Sequence, residues 1–463
     1  MDRTEHDTDT PPEQEDAYAL DRRLVTDILH AVDDGDAATL TRLMEPLHAA
    51  DIADLLEQIG GPDRERLIRL YHKEFDGEIL SELDESIREE VIALLHPEVL
   101  AEAVRELESD DVVDLVEDLE EPQQEAILEA LAQADRIAVE QALSYPEGSA
   151  GRLMQREVVC VPEHWTVGDA IDFMRGSDDL PEQFYHVVLV DPRMHPVANV
   201  SLGKLMGSRR EVPLRDLAEE VFHLIPVDRD EEDVAYAFNQ YHLISAPVVD
   251  GEGRLVGQIT IDDAMIVLDK EHEEDILRLA GVGEESSISD SAAVSARQRL
   301  PWLAVNLATA ILASLVIALF EDALAAIVAL AILMPIVASM GGNAGTQSLT
   351  VAVRALATRD LTTANVMRVI RREALVGLIN GLAFAVVMGI VGLVWFGSPG
   401  LGLVIAAAMV INLLVAGLAG TLIPVAMDKA GVDPALASGT FVTTVTDVVG
   451  FFAFLGLAEV FLL

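Results

Sequence analysis

The chain has 463 residues, 51% hydrophobic and 24% charged, with 79 Asp and Glu against 31 Lys and Arg for a formal net charge of −48. That length exceeds one compact core, and so large a carboxylate excess argues against nucleic acid as a partner, because phosphate backbones are held by Lys and Arg. A single cysteine, Cys160, excludes an intrachain disulfide or a thiolate metal site.

Half the residues can be apolar in so charged a chain only if the two classes are segregated. From Arg297 to Leu463 there are eight basic and eight acidic residues, so the net charge sits almost wholly on residues 1–296. Lysine is confined to Lys73, Lys204, Lys270 and Lys429. A carboxylate-rich, lysine-poor surface is expected of a protein working in a saline interior, where salt screens self-repulsion. That reading competes with cation sensing for the same charges.

The first 20 residues are polar and acidic, carry no apolar signal segment and predict a disordered tail. Residues 22–135 hold short helical patterns with acidic starts: Asp51-IADLL, Asp84-ESIREEVIALL and Asp110-DVVDLV. Repeats of this kind pack as a small α-solenoid, and acidic residues at helix N-termini also serve as ordinary caps. After Tyr145 the pattern changes to two similar units, roughly 155–211 and 220–268. Each reads strand, helix, strand, turn, strand, helix, with VDGEGRLVG as a hairpin signal.

A helix is predicted over Asp262–Leu279, crowded with Asp263, Asp269, Glu271, Glu274 and Asp275. Like charges at this spacing repel, and a hard divalent cation would relieve them. A solvated acidic face is the competing account.

Five apolar runs follow: Pro301–Phe320, Ala323–Met340, Ala374–Phe396, Leu401–Met427 and Phe441–Leu463. Each is long enough to cross a bilayer as a helix. Arg297, Arg299, Arg354, Arg359, Arg368, Arg371, Arg372 and Lys429 fall on one side. The positive-inside rule then places the N-terminus in the cytoplasm and the C-terminus outside.

Asp447 lies in the fifth run with Thr440, Thr443 and Thr444 at helical spacing, a hydroxyl-lined face ending in a carboxylate. An ionisable residue at that depth faces water or a partner, and a protonated Asp bonded to a neighbouring helix is the alternative. Pro335 and the glycines of GGNAGTQ (341–347) predict a broken or kinked second span, with Asn343 and Gln347 four residues apart. Close helix packing is the other reason for such glycines. Asn306, Asn380 and Asn412 are read as interhelical hydrogen-bonding residues.

The order of these segments closely resembles the MgtE family of Mg²⁺ channels and transporters, with tandem CBS domains. The motifs carrying the resemblance are Pro335 with GGNAGTQ, RALATRDL (354–361), GVDPALAS (431–438) and TDVVGF (446–451). The implied architecture is a multidomain membrane protein. An acidic tail (1–20) and an α-solenoid N-domain (21–144) precede two α/β CBS units (145–211 and 212–268). A connecting plug helix with its linker (269–296) leads to a five-helix transmembrane domain (297–463).

The resemblance implies a homodimer in the cell membrane, in contact with lipid, with a pore between subunits at the second and fifth membrane helices. It assigns the pore carboxylate to Asp447, with Thr443, Thr444, Asn343, Gly342, Gln347 and Pro335 lining the path. It assigns cytoplasmic Mg²⁺ sensing to Glu78, Asp110, Asp114, Asp263, Glu271, Glu274 and Asp275. Thr260 and Asp263 match a CBS ribose-contact pattern, so ATP is an expected ligand there; the first unit has Ser201 but Lys204 in place of the acid. The chain departs from the family pattern at Arg152, His242 and Gly439. The expected function is Mg²⁺ import closed by cytosolic Mg²⁺, with no enzymatic activity. A carrier for Co²⁺ or another divalent cation, or a nucleotide-sensing membrane protein, are the alternatives.

Overall fold

The computed structural model describes residues 20–117, 119, 121–177, 180, 181, 183–219, 222–282, 286 and 292–463. The expected acidic tail lies outside these apart from Leu20. The chain divides into two units, residues 1–269 and 270–463.

In the first unit, ten helices run from Arg22 to Ala142 among the described residues. They start where the sequence offers caps. Asp21 accepts from the Arg23 N–H, Asp36 from the Thr39 N–H, and His48 and Asp51 form a reciprocal capping box. Apolar positions at helical spacing merge into one core that includes Ile28, Leu56, Leu80, Val91, Val104 and Leu115. Arg64, almost fully buried, is spent on that packing: it donates to the carbonyls of Leu56 (2.8 Å) and Ile59 (3.2 Å) and pairs with Glu90. The eighth of these helices, α1 (Ser109–Glu117), buries Val112, Val113, Leu115 and Val116 and brings Asp110 inward with them.

The two strand–helix units follow the predicted order. Strands β1 (Cys160–Pro162), β2 (His186–Val190) and β3 (Pro196–Ser201) form one sheet; β4 (Ile225–Pro226), β5 (Ser245–Val249) and β6 (Leu255–Thr260) form the other. In each, the first pair is parallel and the second antiparallel, with a register shift at the same place. The match extends to side chains: His186 and Ser245, the first residues of β2 and β5, hydrogen-bond across the pair at 2.8 Å. After β6 comes the acidic helix α2 (Ile261–Leu279), within which the division between the two units falls.

The second unit is helical. It contains α3 (Ala292–Ala318), α4 (Val328–Ala357), α5 (Val366–Phe396), α6 (Pro399–Lys429) and α7 (Ser438–Leu462), with a short helix Glu321–Ala326 before α4. All five long helices have the length and apolarity to cross a membrane. The most enclosed is α6; its Ile405, Ala408, Met409 and Leu413 pack with Leu333 and Val337 of α4 and Phe454 and Ala458 of α7.

One expectation is corrected here. The second span is not broken at Pro335 or at GGNAGTQ, nor does it end at Met340; α4 continues to Ala357, so Arg354 stands on its last turn. The hydroxyls of Thr346 and Thr350 donate to the carbonyls four residues earlier, which suits the helix. The glycines answer to packing instead. A Cβ at Gly341 would stand 2.2 Å from Asn412 Nδ2, one at Gly345 2.5 Å from Val442, and one at Gly420 2.5 Å from the Gly345 carbonyl. Here α4 and α6 approach at backbone distance and the Val442 side chain of α7 fills the remaining space, which small residues permit.

Candidate functional site

Within the membrane helices, α7 carries Thr443, Thr444 and Asp447 at half-exposed positions, while Val442 and Thr446 are buried between them. The Thr444 hydroxyl donates to the Thr440 carbonyl (2.6 Å) and the Thr446 hydroxyl to the Thr443 carbonyl (2.9 Å). Asp447 has neither a hydrogen bond nor an ion pair among the described residues. A carboxylate left without a protein partner at this depth is costly unless water or a cation reaches it.

The other residues expected to line a path divide into two groups. Gly342 is buried and lies against Thr443, whose Cγ2 would be 3.5 Å from a Cβ at 342. Pro335, Asn343 and Gln347 are on the exposed side of α4, with Thr346 and Thr350 beside the two amides. That gives an apolar helix a polar stripe in which the threonine hydroxyls bond to their own helix, while the Asn343 and Gln347 amides have no hydrogen bond among the described residues. Of the three asparagines read as interhelical, Asn412 is fully buried and donates to the Val337 carbonyl at 2.8 Å. Asn306 and Asn380 are exposed, which corrects that expectation for them within this chain.

A buried carboxylate in the helices went unread in the sequence. Glu373 of α5 is 8% exposed and accepts from the Ser348 hydroxyl of α4 at 2.9 Å. Its place one residue before the apolar run hid it.

In the first unit, Asp110 is buried and its neighbours are other carboxylates. Burial, then the fields of Asp263, Asp111 and Glu108, push its carboxyl well above the usual range. Burial pushes Glu108 to about 7, with Glu157 and Asp263 adding, and Asp111 to about 7, with Asp263 and Glu108 adding. Asp263 rises to about 6, mainly through burial; the Thr260 hydroxyl, donating to it at 2.6 Å, and Asp110, which shares a hydrogen bond with it, pull the other way.

These groups come from α1, the loop before it and the start of α2. They are fastened by Gln155 donating to Glu108 (2.6 Å), Ser109 to Glu157 (2.8 Å), and an Arg152–Glu117 ion pair (2.8 Å). Burial first, and the crowding of like charge second, shift each of these carboxyls towards its uncharged form. Among the expected sensing residues, Asp110 and Asp263 are thus brought together. Glu78 is exposed and contributes its field to Asp111. Asp114 is instead paired with Arg88 at 2.7 Å. Thr260 and Asp263, the pair matched to ribose, are bonded to each other at the β6–α2 junction.

In the second unit, the end of α2 meets the α6–α7 connection. Leu279 packs beside Leu349, Val353, Ala435 and Val442. Arg278 reaches Glu274 (2.8 Å) and Asp433 (2.5 Å), and Asp433 also accepts from the Ala435 N–H at 2.7 Å. Asp275 is raised, by burial first and by Asp433 second. Glu271 is half-exposed on the same helix. So Glu274 already has a protein cation, and Asp433, quoted only as part of a motif, belongs to the group. Among the described residues no three His, Cys, Asp or Glu side chains stand together as a ready metal cage. The fit to a cation is that of carboxylates crowded in pairs, which suits an ion that keeps most of its waters.

Comparison with known proteins gives the following. Residues 47–148 match the MgtE intracellular N domain, residues 150–208 and 214–270 the CBS domain, and residues 334–457 the family described as MgtE, divalent cation transporter. The chain is 30% identical over 441 residues to the magnesium transporter MgtE of Bacillus subtilis (strain 168), covering 95% of this chain and 97% of that protein. It is 35% identical over 449 residues to the magnesium transporter MgtE of Thermus thermophilus, covering 96% and 99%. Among solved structures, the cytosolic domain of the Mg²⁺ channel MgtE in complex with ATP aligns over 52% of this chain and 99% of that one, at 29% identity and TM-score 0.49.

Proposed function

The chain belongs to the MgtE family, and from that premise we propose that it moves Mg²⁺ into the cell through a pore lined by α4 and α7 and closed by cytosolic Mg²⁺. The observation that carries the reading is Asp447: a half-exposed carboxylate without a protein partner, on a threonine-bearing face of a membrane helix. Mg²⁺ gives up its waters reluctantly, so a path for it needs few direct ligands. Asp447 from each of two copies would hold the hydrated ion, with the Thr443 and Thr444 oxygens receiving its waters. The polar stripe of Asn343 and Gln347 is the surface a second copy would meet. With the N-terminus cytoplasmic, the membrane potential contributes about 2.3 kcal/mol per charge per 100 mV inward.

Closure would be electrostatic. Mg²⁺ would bridge Asp110 and Asp263 and lower the repulsion from Asp111 and Glu108. On α2 it would join Asp275, Glu271 and Asp433 to the hold that Arg278 already has. The ligand acts by binding the compact state better than the open one. The proposal extends to an adenine nucleotide at Thr260 and Asp263, and includes no enzymatic step. Vesicles containing the full chain test the transport reading: Asp447→Ala should abolish Mg²⁺ uptake while leaving the melting temperature unchanged. Uptake at the unsubstituted rate in that variant would refute the pore assignment. A series of competing divalent ions separates Mg²⁺ from Co²⁺ transport.

A further inference from the structure

The elbow between α4 and α5 collects positive charge in a chain that has little. Residues 354–372 contain Arg354, Arg359, Arg368, Arg371 and Arg372 and one acid, Asp360, although acids outnumber bases 79 to 31 overall. All five arginines are exposed. Arg354, Arg368, Arg371 and Arg372 have no carboxylate partner among the described residues, whereas most arginines of the first unit are paired, as Arg64, Arg66, Arg88, Arg152, Arg210 and Arg229 show.

For three of these arginines the local structure adds to the charge rather than offsetting it. Arg368, Arg371 and Arg372 stand at i, i+3 and i+4, where like charges repel, and near the positive end of the α5 dipole. The single acid is engaged elsewhere, Asp360 accepting from the Thr358 hydroxyl at 2.9 Å. The elbow itself is fixed. Leu361 is buried and its N–H donates to the Ala355 carbonyl (2.7 Å), while Asn365 donates to the Asp360 carbonyl (2.6 Å) and accepts from the Thr362 N–H (2.8 Å). The arginines are therefore carried on a firm frame at the adjoining ends of two helices that have the length and apolarity to cross a membrane, and the ends of such helices meet the headgroup layer.

We propose that this elbow is a binding surface for anionic phospholipid headgroups, whose phosphates take the guanidinium forks of Arg354, Arg368, Arg371 and Arg372. Arginine suits the role because its planar fork meets phosphate oxygens two at a time, and basic segments next to membrane spans are drawn to acidic lipid. The surface concerns lipid alone and is independent of which ion the protein moves.

The full chain, placed in bilayer discs of equal phosphatidylcholine and phosphatidylglycerol and then stripped with mild detergent, tests this by mass spectrometry of the retained lipid. The expected result is at least threefold enrichment of phosphatidylglycerol, falling towards unity in 1 M salt. In R368Q/R371Q/R372Q the enrichment should be lost, and in R368K/R371K/R372K partly kept. The lysine variant preserves the charge that sets insertion, and protease accessibility of the N-terminal region checks that both variants insert alike. Equal retention of the two lipids by the unsubstituted chain, or unchanged enrichment in the glutamine variant, would overturn the proposal. So would loss of self-association in the glutamine variant at constant lipid retention, which would assign the arginines to the acidic surface of a second copy.

Discussion

Replacing Arg278 by alanine tests how the acidic helix is held to the membrane helices. The guanidinium joins Glu274 on its own helix to Asp433 on the α6–α7 connection, at 2.8 and 2.5 Å. The three side chains are between 18% and 29% exposed, so the pairs are neither screened as on a surface nor sealed. A hydrogen bond to a charged group contributes roughly 1.5–3 kcal/mol, and partial exposure places this one at the lower end. Truncation also leaves Glu274, Asp275 and Asp433 facing one another without the guanidinium between them. The docked end of α2 should lose about 2 kcal/mol, roughly a 30-fold change in its equilibrium.

If one Mg²⁺ supplies the missing bridge, half-closure of the flux should need about 30 times more internal Mg²⁺ at 2 kcal/mol. The assay is Mg²⁺ flux from vesicles at graded internal Mg²⁺, beside proteinase K cleavage between α2 and α3. Arg278→Lys should fall between, since an ammonium lacks the fork that reaches two carboxylates. A midpoint for Arg278→Ala within twofold of the unsubstituted chain would refute the reasoning. So would one at lower Mg²⁺, because the arginine would then be competing with the ion.

Other outcomes follow from the same contacts. Glu108, Asp111 and Asp263 are raised to about 7, 7 and 6 from ordinary values near 4. Their ionisation therefore costs more in the folded state than in the unfolded one. Without Mg²⁺, stability of the first unit should be full below pH 4 on this account and decline as pH rises from about 4 to about 7; a proteolysis series across pH that shows no such fall would refute it. Asp110→Asn should stabilise the same region without Mg²⁺ at alkaline pH, where the buried carboxyl would otherwise have to ionise, and reduce the protection Mg²⁺ gives. Gly420→Ala places a Cβ 2.5 Å from the Gly345 carbonyl, so α4 and α6 must separate; a loss of about 1–3 kcal/mol should appear as a lower melting temperature in detergent.

The amino-acid order alone determined the parts of this protein whose cause is local. Five spans follow from the length of apolar runs, the paired strand–helix units from alternation and turn residues, and the caps at Asp21, Asp36 and His48 from short-range hydrogen bonding. Asp447 was legible for the same reason, since a charge in an apolar run stands out without knowledge of its neighbours. What the tertiary structure decided concerns partners distant along the chain. Arg278 and Asp433 are 155 residues apart, Ser348 and Glu373 lie on different helices, and Asp110 meets Asp263 only when α1 packs beside the start of α2. The glycines of α4 show the limit most plainly. Read locally they weaken a helix, but in the folded unit they admit Asn412, Val442 and the backbone of Gly420, because the space a missing side chain leaves has meaning only when something fills it.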